Sequence, residues 1–112
     1  MEIEELALLH KALSVPARLR ILALIADRPR CVNSITQCMD ISQPSVSQHL
    51  AVLRAAGLVT GRRHGYMTHY CANAERLREL QKAMEAFPDS HRSGGDRTHE
   101  QTATRAATRA QV

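Results

Sequence analysis

The chain of 112 residues contains no tryptophan, and its only aromatic residues are Tyr66, Tyr70 and Phe87. Recognition of single-stranded nucleic acid by stacking therefore has little to work with. No apolar run reaches the roughly 18 residues of a membrane span, and no basic-then-apolar leader is present, so the expected protein is soluble, unexported and cytoplasmic, with no membrane partner. Cysteine is scarce and odd in number, at Cys31, Cys38 and Cys71. In an unexported chain that count argues against a disulfide framework and leaves thiol chemistry or plain burial. A glycine-rich phosphate loop, paired carboxylates and a triad spacing are all missing, so no enzyme is expected. A chain of this length forms one domain with a modest core and too little mass for a deep substrate cavity.

What is present is a mild positive balance, 15 Lys plus Arg against 11 Asp plus Glu for a net charge of +4, compatible with a polyanionic partner. The richest stretch is Ile41-Ser-Gln-Pro-Ser-Val-Ser-Gln-His-Leu-Ala-Val-Leu-Arg-Ala-Ala-Gly-Leu-Val59. Ser42 is a natural N-cap, Pro44 suits a first helical turn where its missing N–H costs nothing, and Gly57 is a natural residue just past a helix end. These bracket a helix of about 13 residues, roughly 20 Å long. Val46, Leu50 and Leu53 make one apolar stripe, while Gln43, Ser45, Ser47, Gln48 and His49 crowd its N-terminal half. Short uncharged donors and acceptors suit base edges and phosphates in a duplex major groove, and Gln43 or Gln48 is the expected base reader because glutamine bonds adenine bidentately.

Upstream, Ile3, Leu6, Leu9 and Leu13 recur at helical spacing and predict a helix over 3–13, with Ser14 as a cap for the next. The next helix, about 16–26, carries Leu19, Ile21, Leu22, Leu24 and Ile25 around most of its circumference, which predicts a helix covered on more than one side. Val32, Ile35 and Met39 predict a short third helix, so that a turn of about three residues joins it to the polar-faced helix as a helix-turn-helix. After Gly57 the period shifts from about 3.6 to 2. Residues 58–63 and 67–71 read as strands joined by a glycine-containing turn, a hairpin or wing whose tip carries Arg62, Arg63 and His64 as phosphate or minor-groove contacts. Leu77, Leu80, Met84 and Phe87 restore helical spacing until Pro88. Residues 1–87 are thus expected to form the DNA-binding and dimerisation domain, and 88–112 a disordered tail poor in large apolar residues.

The order helix, helix, helix-turn-helix, wing, helix resembles the winged-helix repressors of the ArsR/SmtB family over residues 5–87. The segments that carry the resemblance are Ala12-Leu-Ser-Val-Pro-Ala-Arg-Leu-Arg-Ile-Leu22, Ile41 to Val59, and Arg62-Arg-His-Gly-Tyr-Met-Thr-His-Tyr70. The resemblance implies a mainly α fold with a β-hairpin wing, and a homodimer joined through its first and last helices. It also implies a palindromic double-stranded operator from which an inducer releases the protein. Dimerisation is expected on physical grounds too, because a lone small module reads few base pairs while a two-fold pair places its recognition helices one DNA turn, ~34 Å, apart. Leu6, Leu9 and Leu13 of the first helix and Leu77, Leu80 and Met84 of the last are the candidates for that interface.

The resemblance extends to the arsenite-responsive branch of the family, which places a cysteine where Cys31 stands, at the start of the third helix. That branch has further thiols two and five residues on, where this sequence has Asn33 and Thr36. Cys38 lies about 10.5 Å farther along a continuous helix, too far for both sulfurs to grip one ion directly, and beside Ile35 and Met39 it has equal claim to a buried structural role. Strand alternation puts Met67, His69 and Cys71 on one face, a second set of soft or borderline ligands. His10 is expected to pack at an interface. The last helix, 73–87, holds no His or Asp and so lacks the zinc site other family members carry there. Thiols select soft ions, which makes arsenite or a similar thiophile the expected inducer, bound by Cys31, Cys38 or Cys71, with no tightly held cofactor. A redox or reactive-sulfur sensor using the same cysteines is the alternative, with Cys31, flanked by Arg28 and Arg30, as the expected reactive thiol. A winged-helix protein-interaction module without DNA binding is the reading from a different class.

Overall fold

Local backbone chemistry sets the element boundaries. The computed structural model describes residues 1–90 and gives α1 (Ile3–Leu13), α2 (Pro16–Asp27), α3 (Val32–Gln37), α4 (Gln43–Ala55), β1 (Val59–His64), β2 (Met67–Ala72) and α5 (Ala74–Ser90). The Ser42 hydroxyl accepts from the Ser45 N–H at 3.3 Å, capping α4 as its sequence predicts. At the other end Gly57 sits at φ 78°, its N–H bonds the Arg54 carbonyl at 3.0 Å and the Leu58 N–H bonds the Leu53 carbonyl at 3.0 Å. That is a Schellman stop, and it needs a residue free to adopt the left-handed region.

The hairpin pairs Val59 with Ala72 through His64 with Met67, antiparallel and without a bulge. Its two-residue loop has positive φ at Gly65 alone, 62°, the φ pattern of a type II′ turn that matches strand twist. The core joins Leu6, Leu9 and Ala12 of α1, Ile21, Leu22 and Ile25 of α2, and Ile35 of α3. Val46, Leu50 and Leu53 of α4, Leu58 and Val59 at the start of the wing, and Leu80 of α5 complete it. Each fully buried aliphatic side chain there stabilises the fold by about 1.5–3 kcal/mol. The architecture is the expected winged helix-turn-helix, mainly helical with one two-stranded antiparallel sheet. No helix among the described residues is long and apolar enough to cross a membrane.

Several expectations are corrected. Ser14 does not cap α2: its hydroxyl donates to the Lys11 carbonyl at 2.7 Å and finishes α1, while Val15 holds the N-cap position without a side-chain bond. Leu19 is 51 % exposed, because α2 buries the face of Ile21, Leu22 and Ile25 and, among the described residues, no element covers the flank that carries Leu19. Leu6, Leu9 and Leu80 are consumed by the protomer's own core; the apolar side chains that α1 and α5 leave exposed include Ile3, Leu8 and Met84. Helix α5 continues past Pro88 to Ser90, since a proline removes only its own N–H bond and does not forbid helical residues after it. The expected disordered tail otherwise lies outside the described residues.

Candidate nucleic-acid interface

Helix α4 is oriented by its buried stripe. Val46, Leu50 and Leu53 are at most 2 % exposed, so the opposite side must face out. Gln43, Ser47 and Gln48 are exposed, whereas Ser45 and His49 are half-buried. The Ser45 hydroxyl accepts from Ser42 at 3.0 Å. His49 leans back toward α2, where its Nδ1 accepts from Arg18 Nε at 3.3 Å. Arg18 also donates to the Lys11 and Ala12 carbonyls at 3.4 Å, so one guanidinium ties α4 to the end of α1. The residues expected to act together thus divide: Ser47 and Gln48 point outward, Gln43 borders the wing, and His49 is engaged within the protomer.

On the wing Arg62, Arg63 and His64 are exposed, as expected of a contact tip. Arg63 Nε donates to the Gly65 carbonyl at 3.3 Å, which holds that side chain against the turn. The register sets Arg62 opposite His69 and His64 opposite Met67 on one face of the hairpin and Arg63 opposite Thr68 on the other, so the basic tip is split between the two faces. His64 and His69 meet edge to face with centroids 5.0 Å apart. His69 Nδ1 is buried without a hydrogen-bond partner.

Two features escape sequence reasoning. Tyr66 is fully exposed at the very tip of the hairpin, and only the turn position of Gly65-Tyr66 could have signalled it. The second is a backbone bridge, in which the Arg30 N–H donates to the Tyr70 carbonyl at 3.1 Å and the Tyr70 N–H to the Arg30 carbonyl at 2.8 Å. It pins the base of the wing to the start of α3. Glycine at 61 allows close packing on the wing's other strand, since a Cβ there would stand 3.1 Å from both Arg54 Nη1 and Thr68 Cγ2.

The three thiols occupy three separate places. Cys31, half-buried, is the N-cap residue of α3 and lines a cleft shared with Gln43 and Tyr66. Cys38 follows the last residue of α3; it is exposed, contrary to a buried structural role, because the helix ends at Gln37 and its side chain opens onto a groove beside Leu24 and Met39. Cys71 shares another groove with Pro29, Arg62, His64 and His69, while Met67 lines the cleft of Cys31 instead. Among the described residues no three His, Cys, Asp or Glu side chains converge as a metal site. The Arg30 guanidinium, expected beside Cys31, reaches the Leu24 carbonyl and Ser34 Oγ at 3.2 Å and Cys38 Sγ at 3.7 Å. His10, exposed, meets Met84 Sδ at 3.1 Å and links α1 to α5.

The sequence profile described as "Bacterial regulatory protein, arsR family" matches residues 15–60. The chain is 44% identical over 57 residues to the HTH-type transcriptional repressor SmtB of Mycobacterium tuberculosis strain H37Rv, a match spanning 51% of this chain and 42% of that repressor. The chain thus spans about two fifths of that curated relative's length. An uncharacterized HTH-type transcriptional regulator of Methanocaldococcus jannaschii is 35% identical over 83 residues, covering 73% of this chain and 93% of its own length. Among solved structures, the homodimeric winged helix-turn-helix DNA-binding domain of a possible ArsR-family transcriptional regulator from Mycobacterium bovis superposes with a TM-score of 0.65 at 29% identity. That superposition covers 83% of this chain and 86% of that one. With the matched profile lying over α2, the helix-turn-helix and the first residues of the wing, the chain belongs to the arsR family of bacterial regulatory proteins.

Proposed function

We propose that the protein is a homodimeric, sequence-specific DNA-binding transcriptional repressor, released from a palindromic operator by a thiol-directed inducer, with arsenite first among the candidates. The observation that carries the DNA reading is the two-sided character of α4. One side is locked into the core, and the other presents Ser47 and Gln48 beside a wing tipped by Arg62 and Arg63. In this reading Gln48 contacts base edges, Ser47 and the wing arginines contact phosphates, and His64 joins them at the tip. Gln43, Ser45 and His49 complete the contact set from the N-terminal half of α4. Residues 1–87 are the DNA-binding and dimerisation unit. The homodimeric state of the Mycobacterium bovis domain and the exposed Ile3, Leu8 and Met84 support pairing through α1 and α5.

Fluorescence anisotropy of labelled duplexes across a salt series tests this. A duplex reader gives a steep fall of affinity with salt, about 0.9 in slope per phosphate contact, and the Arg62→Ala/Arg63→Ala variant gives a shallower one. A flat slope in the wild type identifies a protein-interaction module instead.

For the inducer, Cys31, Cys38 and Cys71 are the proposed thiols. Arsenite titration of the DNA complex, repeated on the three single serine variants, is the test, and wild-type release by all three rejects the thiol reading. The exposed Cys38 facing Arg30, in a different groove from Cys31 and Cys71, favours a second reading in which a single thiol is oxidised by a peroxide to a sulfenic acid with release of water, or takes a sulfane sulfur from a polysulfide that leaves one sulfur shorter, since that chemistry needs no convergence of ligands.

A further inference from the structure

Alternation along the wing gathers borderline donors on one face of the hairpin. The register pairs Thr60 with Cys71, Arg62 with His69 and His64 with Met67, so these side chains leave the same side of the sheet. Arg62, His64, His69 and Cys71 line, with Pro29, a groove of about 400 Å³. Three of those five residues carry an imidazole or a thiol, and no carboxylate borders the groove.

His64 lies diagonally across the strand pair from His69, with ring centroids 5.0 Å apart and an interplanar angle of 73°. With metal–nitrogen bonds of about 2.0–2.1 Å, two imidazoles on one tetrahedral ion hold their ring centres roughly 5 Å apart, so the pair already has the spacing of a shared ion. Ring packing alone gives a similar distance, but it leaves His69 Nδ1 buried and without a hydrogen-bond partner. A bound ion removes that cost. Cys71, a free thiol, follows His69 by two residues on the same face, about 6.6 Å along the strand, a span that an imidazole and a thiolate close when both lean toward an ion between them. The three donors do not already converge on one point, and His64, exposed at the end of β1, has the room to turn and complete the set.

Nitrogen and sulfur donors without a carboxylate select zinc, cobalt, nickel or copper over magnesium and calcium, which take oxygen. The Arg62 cation opposes a metal in the same groove, but its side chain is exposed and carries the guanidinium into water on a long stem, where the repulsion is screened. We propose that this face of the hairpin binds one zinc-class divalent cation, held by the imidazoles of His64 and His69 with the Cys71 thiolate as third donor and water in the fourth position. The site rests on the two imidazoles rather than on the thiols of α3, and it stands independently of duplex binding.

Cobalt(II) titration of the full, reduced, untagged chain tests this by visible absorption. Wild type should bind a single cobalt with tetrahedral d–d bands and a sulfur-to-cobalt charge-transfer band, and zinc should displace it. Zinc should also raise the melting temperature of wild type and not that of His64→Ala, because only a folded-state site stabilises on binding. His64→Ala, at an exposed position, and His69→Gln should each weaken cobalt binding by about tenfold or more, and their metal-free melting temperatures will verify that both fold. Cys71→Ser should retain weaker binding and lose the charge-transfer band, whereas Cys31→Ser, Cys38→Ser and His91→Ala/His99→Ala should titrate as wild type does. Absence of cobalt binding by wild type overturns the proposal, and so do unchanged titrations of both imidazole variants. A charge-transfer band that survives Cys71→Ser, or binding that disappears with Cys31, Cys38 or the His91 and His99 pair, places the ion elsewhere and overturns it as well.

Discussion

Helix α4 and the wing are neighbours held by different forces. Helix α4 is fixed by apolar burial, with Val46 and Leu53 wholly excluded from solvent and Leu50 nearly so. Beyond Val59 the wing buries no residue fully; only Tyr70 and Ala72 pack partly against the core, and the rest of its placement depends on ladder hydrogen bonds, the Arg30–Tyr70 bridge and the close approach of Arg54 over Gly61. One arm of the interface is therefore inseparable from folding, and the other can be altered while the fold persists.

Damage to α4 should be the most costly. Leu50→Ala leaves a cavity where α4 meets the rest of the core and should lower unfolding free energy by about 2–5 kcal/mol in urea titrations, taking DNA binding with it. Gly57→Ala, forced to φ 78°, should cost about 1–2 kcal/mol by the same assay. Removal of the α4 cap in Ser42→Ala should cost about 0.5–1 kcal/mol, since the capping hydroxyl is exposed. The wing contrasts with all three: Arg62→Ala/Arg63→Ala should move the melting temperature by no more than a few degrees while weakening duplexes of any sequence alike, because exposed tip arginines hold no core together. A double variant that melts early would erase the distinction between the two regions.

The smallest effect belongs to the α1–α5 junction. Glu5 pairs with Arg76, which also reaches Glu79 at 2.9 Å. The hydrogen bond and charge of Arg76 hold the Glu5 carboxyl below its usual value of about 4.5. A carboxyl depressed in the folded state contributes stability that is present above its unfolded value and lost as pH falls through the folded one. Wild type should therefore lose melting temperature more steeply below pH 4.5 than Glu5→Gln, and coincident acid limbs would show that the pair contributes nothing.

The sequence disclosed what depends on near neighbours. The Ser42 cap, the Gly57 stop, the buried stripe of α4, the hairpin turn at Gly65 and the three-part division of helices before α4 all derive from patterns within a few residues. What it hid depends on partners distant along the chain. Arg30 and Tyr70 form a bridge through backbone groups that no side-chain pattern marks. Arg18 of α2 donates to His49 of α4 across thirty-one positions of sequence. Asn73 ties the end of α4 to the start of α5, donating to the Gly57 carbonyl at 2.9 Å and accepting from the Arg76 N–H at 3.2 Å. Amphipathic faces of α1 and α5 read equally well as core or as dimer interface, and only packing assigned Leu6, Leu9 and Leu80 to the core. The thiols were the least legible, because the end of α3 at Gln37 exposes Cys38 and alternation along β2 sends Cys71 away from Cys31.

Selection of bound sequences from a randomised duplex library addresses the central reading most directly. A symmetric pair of α4 helices predicts enrichment of a two-fold-related site with half-site centres about 10 base pairs apart, and loss of that enrichment in Gln48→Ala. No enriched sequence, or one without two-fold symmetry, would contradict the account.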